Sequence, residues 1–103
     1  MNDQQASLTV EIKNPEGMHA RPADLFAKCA GQFRSAVTVS KPGIDPVDAK
    51  SILSLLTLGA AQGTQLTIEA KGVDAQTAVK QLEKLVGSDF DASLLDSDTQ
   101  VPN

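Results

Sequence analysis

Apolar and polar positions alternate from Leu8 through Val10 to Ile12, and again at Leu66, Ile68 and Ala70. A period of two is that of a strand with one buried face, so both stretches predict half-buried strands. Val37 and Val39 mark another strand. A short one falls around Val47 to Ala49, beside Pro46, which suggests a sheet edge where a missing N–H does least harm. The segment Lys41-Pro42-Gly43-Ile44-Asp45-Pro46 between them reads as turn chemistry. Helical spacing takes over in three places. Ala23, Leu25, Phe26, Cys29 and Ala30 predict a helix from about Ala20, capped at Gly31. A short helix from Ser51 to about Leu58 is ended by Gly59. Ala75, Ala78, Val79, Leu82, Leu85 and Val86 keep the 3.6 period behind Asp74 as N-cap, and Gly87 closes that helix. The order is strand, helix, strand, strand, helix, strand, helix. Layer packing turns this into an α+β fold, one antiparallel or mixed sheet with helices on one face.

Neither end carries a period. Met1-Asn2-Asp3-Gln4-Gln5 reads as a flexible tail over residues 1–5, and the domain is expected to span 6–87. From Ser88 onward Ser, Asp, Pro and Asn dominate, so residues 88–103 are expected to form a disordered acidic tail, with Phe90, Leu94 and Leu95 as its weak docking residues.

Length and composition narrow the classes. The 103 residues support one domain with a modest core, and an aromatic share of 3% means aliphatic side chains fill it. No apolar run approaches a membrane span and no basic-then-apolar leader opens the sequence, so the expected setting is the cytoplasm, without membrane association. Cys29, the single cysteine, falls inside a helical pattern and reads as a small core hydrophobe. One cysteine and one histidine are too few for a structural zinc site, and no metal or cofactor is expected. The net charge of −4 comes wholly from Asp89, Asp91, Asp96 and Asp98, because the charges of residues 1–88 cancel. A neutral domain without a basic face lacks the footprint of nucleic-acid binding.

The chemistry concentrates in Gly17-Met18-His19-Ala20-Arg21-Pro22-Ala23. His19, the sole histidine, stands where a loop becomes a helix. The first N–H groups of a helix have no intrahelical partners and its dipole end is positive, which suits an anion. Pro22 fits the first turn, where its missing N–H costs nothing. Arg21 adds a fixed charge with a fork suited to phosphate oxygens. A neutral imidazole is a competent nucleophile near pH 7, so His19 beside such a cradle points to phosphoryl transfer through histidine, with Arg21 stabilising the phosphoryl group. A surface histidine that merely precedes a helix is the alternative. No Asp–His–Ser set can be read, so nothing suggests a hydrolase.

These residues resemble the active-site motif of HPr, the histidine-containing phosphocarrier of the bacterial phosphoenolpyruvate-dependent sugar phosphotransferase system. Lys50-Ser51-Ile52-Leu53, then Leu58-Gly59 and Gln62-Gly63-Thr64, resemble the family's regulatory-serine helix and the turn into its last strand. The similarity spans about residues 6 to 87. It implies an open-faced sandwich of four antiparallel strands and three helices, with the phosphoryl group on Nδ1 of His19. It also implies a carrier with no turnover of its own, a monomer that receives phosphate from enzyme I and passes it to the A domain of a sugar-specific enzyme II. Ser51 matches the family's regulatory phosphorylation site, target of an HPr kinase/phosphorylase, although its N-cap role alone would explain a serine there.

The short helix is apolar nearly all round, and a small domain can cover only one face. The resemblance assigns Ile52, Leu53 and Leu56 to partner docking and Leu55 and Leu58 to the core. Ala20 is expected to join the docking surface, with Lys28 and Lys50 as candidate rim charges for acidic partners; solvated lysines are the alternative reading. The stretch from Ser40 to Asp48, with two prolines, is slightly longer than the family's usual one, and the acidic tail has no counterpart in the family core. A carrier in a nitrogen- or carbon-regulatory branch, not dedicated to sugar transport, and a binding module whose histidine is idle are the alternative readings.

Overall fold

The computed structural model describes residues 4–91. Strands β1 (Gln4–Glu11), β2 (Ala36–Lys41), β3 (Ile44–Asp48) and β4 (Gln65–Gly72) form one sheet in the order β1-β4-β2-β3, every neighbouring pair antiparallel. Helices α1 (Ala20–Gly31), α2 (Ile52–Thr57) and α3 (Ala75–Gly87) cover one face. This is the β-α-β-β-α-β-α order that the periodicities predict. The register explains how the strands share the core: Leu8 lies opposite Ile68, Val10 opposite Leu66, and Ile68 opposite Val39. Leu66, Ile68, Val37 and Val39 are buried beneath the helices, while Thr67 and Glu69 alternate to the open face. Helix α3 lies over β1 and β4, and α1 packs against α2 and α3. Cys29 is buried with the aliphatic core.

Several boundaries move. Strand β1 begins at Gln4, paired with Gly72, so Gln4 and Gln5 belong to the sheet, not to a tail. Ladder bonds to β4 outweigh the polar character of two glutamines. The expected six-residue turn shrinks to Pro42-Gly43, with Gly43 in the left-handed region, and Ile44 to Pro46 join β3. Pro46 is tolerated because β3 is an edge strand. The β2–β3 hairpin is irregular, with a register shift between Val39 and Lys41. Ala49 lies just beyond β3 and donates its N–H to Val37 at 2.9 Å.

Asp74 holds the N-cap position of α3 but does not cap the helix with its side chain. Its carboxylate accepts from Ser35 Oγ at 2.5 Å and from the N–H groups of Arg34 and Ser35, both at 2.9 Å. The Ser35 hydroxyl bond, then the Arg34 amide, lowers the carboxyl pKa to about 2. Asp74 therefore ties the start of α3 to the start of β2.

The largest change is at the C-terminal boundary. Phe90 is only 7% exposed and belongs to the core, so packed structure continues beyond Gly87. The rest of the predicted tail, including Leu94 and Leu95, lies outside the described residues.

Candidate functional site

The loop before His19 is built by its backbone. Ile12 exchanges hydrogen bonds with the turn before β4, donating its N–H to Thr64 O at 2.9 Å and accepting from Gly63 N–H at 2.8 Å. Gln62 Nε2 donates to Lys13 O at 2.9 Å, so Gln62-Gly63-Thr64 fixes the approach to the site. Gly17 has φ +72°, and a Cβ there would stand 2.4 Å from Ala60 O. No other residue fits that backbone without a shift. Met18, buried, donates its N–H to Ala60 O at 2.8 Å, and the buried Asn14 donates Nδ2–H to Gly17 O at 2.8 Å.

His19 emerges from this frame as the N-cap residue of α1, with extended backbone (φ −111°, ψ −166°) and an exposed side chain that caps nothing. Its carbonyl accepts the first intrahelical bond, from Ala23 N–H at 2.9 Å. The amides of Ala20 and Arg21 precede that bond and have no carbonyl partner within the helix. Asn14, Glu16, His19, Arg21, Pro22, Leu25, Asp89 and Phe90 line a cleft of about 170 Å³. His19, Arg21 and the start of α1 thus share one concave place. A hollow of about 500 Å³ lies along the sheet between Gln5 and Ser7, Ala36, Thr38 and Glu69 to Lys71, and shares no residue with the cleft. It is larger, but it holds no imidazole. Among the described residues no three His, Cys, Asp or Glu side chains could hold a metal ion, and no helix is long and apolar enough to cross a membrane.

The apolar residues of α2 and its C-cap Leu58 divide between core and solvent. Leu55 and Leu58 are buried, whereas Ile52, Leu53 and Leu56 are 38%, 76% and 37% exposed. Ser51 caps the helix, accepting from Ser54 N–H at 3.2 Å. Two contacts orient α2 against α1. Lys50 Nζ donates to Phe33 O at 2.8 Å, so α2 begins beside the end of α1. The Met18–Ala60 bond sets the end of α2 beside His19. Ser51 therefore stands at the end of α2 away from the Met18–Ala60 contact. The expected rim charges are both engaged: Lys28 pairs with Asp24 at 3.2 Å on α1, and Lys50 is tied to the Phe33 carbonyl.

Glu16, Asn14, Asp89 and Phe90 of the cleft were not legible as site residues. The only signal was Phe90, a large apolar side chain in an otherwise polar stretch.

With this geometry in place, the family model described as "PTS HPr component phosphorylation site" matches residues 6–88. The chain belongs to the HPr family. The phosphocarrier protein HPr of Haemophilus influenzae is 46% identical over 80 residues, which cover 78% of this chain and 93% of the relative. The HPr-like protein Crh of Bacillus subtilis is 42% identical over 77 residues, 75% of this chain and 89% of Crh. A crystal structure of HPr from Thermoanaerobacter tengcongensis superposes with a TM-score of 0.79 at 42% identity, covering 82% of this chain and 94% of that one. The fold is thus the open-faced sandwich of HPr proteins, and the matched span extends to the end of α3.

Proposed function

We propose that the protein is a phosphocarrier whose His19 accepts a phosphoryl group from phospho-enzyme I and donates it to the A domain of a sugar-specific enzyme II. The observation that carries the reading is His19 itself, exposed at the start of α1 in a cleft shared with Arg21, in a chain of the HPr family. A lone pair on the imidazole attacks phosphorus as the bond to the donor breaks. The three equatorial oxygens carry charge in the loose transition state, where Arg21 and the unbonded helix amides face them. Onward transfer reverses these roles. Ile52, Leu53 and Leu56 form the docking patch, with Ala20 at the helix start, and phosphorylation at Ser51 regulates docking.

The test is incubation with enzyme I and phosphoenolpyruvate, followed by mass measurement. One acid-labile phosphate is expected on the wild type and none on His19→Ala, which removes no core packing. Equal labelling of the two would reject His19 as the acceptor. Arg21→Ala is expected to slow transfer by about 10²-fold without abolishing it, because a clamp lowers the barrier while the nucleophile remains.

Similarity to Crh, described as the Bacillus subtilis catabolite repression HPr, favours a second reading, a carrier serving a regulatory branch. Delivery of label from the phosphorylated protein to purified enzyme II A domains separates the two. Efficient delivery supports the sugar branch and its absence the regulatory one.

A further inference from the structure

The His19 cleft is acidic for a site that is to hold a phosphoryl group. Its charged lining consists of Glu16, Arg21 and Asp89, two carboxylates against one guanidinium, beside the histidine. Neither acid is drawn into an ion pair with Arg21, since the ion pair found among the described residues joins Lys28 to Asp24 on α1. Asn14, in the same lining, is buried, and its Oδ1 accepts no hydrogen bond among the described residues. Lys84, in the last turn of α3, is not part of the lining.

Asp89 is held at this place. Asp89 and Phe90 are the two non-glycine residues in the left-handed region among the described residues, with φ 63° and 61°. The chain turns there because Ser88, Asp89 and Phe90 donate their amides to Lys84, Val86 and Leu85 at 2.9, 3.0 and 2.8 Å. Ser88 Oγ adds a bond to Leu85 O at 2.9 Å, and Asp91 N–H bonds Ser88 Oγ at 3.1 Å. Phe90 then buries its ring and locks the turn. Two successive left-handed residues are costly, and they bring a carboxylate-bearing residue to the rim of the cleft.

We propose that Glu16 and Asp89 set the phosphoryl-transfer potential of His19: their negative charge destabilises the phosphorylated form and favours onward donation. The proposal rests on the reading of His19 as phosphoryl acceptor. Like charges in a shared site disfavour the more highly charged state. They therefore raise the second pKa of a phosphoryl group on His19, and they raise the free energy of the phosphohistidine relative to the free imidazole. Arg21 opposes both effects from the same cleft.

The test avoids any partner protein. Phosphoramidate transfers its phosphoryl group to the imidazole nitrogen with loss of ammonia. The phosphorylated wild type, Glu16→Gln, Asp89→Asn and the double variant are titrated by ³¹P NMR, with Glu83→Gln on the exposed side of α3 as control. Asparagine tolerates the left-handed region, so Asp89→Asn keeps the turn. The double variant is expected to lower the phosphoryl titration midpoint by about half a pH unit, each single variant by part of that, and the control by nothing. Midpoints of all variants within about 0.1 unit of wild type would overturn the proposal. Labelling by enzyme I is scored separately. A protein that enzyme I leaves unlabelled, but whose chemically phosphorylated form shows the shift, would reject the carrier role and retain the electrostatic one.

Discussion

Gly17 and Asp74 show how single residues hold the site and the frame. At Gly17 both the positive φ and the 2.4 Å approach to Ala60 O oppose any side chain. Gly17→Ala is therefore expected to destabilise the fold by about 2 kcal/mol or more and to displace His19, read as a lower urea midpoint together with slower phosphoryl acceptance. Asp74 gives a pH signature. Its folded pKa lies near 2, below its value in an unfolded chain, so its stabilisation is present above pH 4 and is lost as the pH falls toward 2. Asp74→Asn is expected to be less stable than the wild type at pH 7, and the gap should close in urea melts between pH 4 and pH 2. A gap that persists at pH 2 would show that the carboxylate's charge contributes nothing.

At the scale of the element, α2 does two jobs with six residues. One face buries Leu55 and the other leaves Leu53 in water. Leu53→Gln is expected to change stability by less than about 0.5 kcal/mol while weakening transfer from enzyme I severalfold, a separation that equilibrium unfolding and transfer kinetics measure together. Ser51 tests the same helix from its start. Ser51→Ala loses the bond to Ser54 N–H, about 1 kcal/mol, whereas Ser51→Asp can still cap. The aspartate is nevertheless expected to transfer worse, because its charge must be desolvated at the edge of the docking patch. Equal rates under sub-saturating carrier would reduce Ser51 to a cap. Since Ser51 stands at the end of α2 away from His19, the effect acts on docking and not on the phosphoryl group directly.

For the whole molecule, the decisive region is the turn after α3. The periodicity ends at Gly87, but the fold does not. A chain ending at Gly87 loses the buried Phe90, and one ending at Asp91 keeps it. The shorter chain is expected to melt roughly 10 °C lower, from about 2 kcal/mol of lost burial. Coincident melting curves would show that Phe90 contributes no packing energy.

The alternation of Leu66, Ile68 and Ala70 and the 3.6 period of Ala75 to Val86 determined the element order, and the spacing of Gly17, His19, Arg21 and Pro22 singled out the candidate site. Those signals are local, carried by the pleat of a strand, the pitch of a helix and the chemistry of a helix start. The polar Gln4 and Gln5 joined a strand, Asp74 turned from its own helix toward Ser35, and Glu16 and Asp89 came to one cleft only through tertiary structure. Each of these depends on a partner far along the chain, Gly72 for Gln4, residue 35 for residue 74, and the start of α1 for the end of α3, and no local period encodes such a partner.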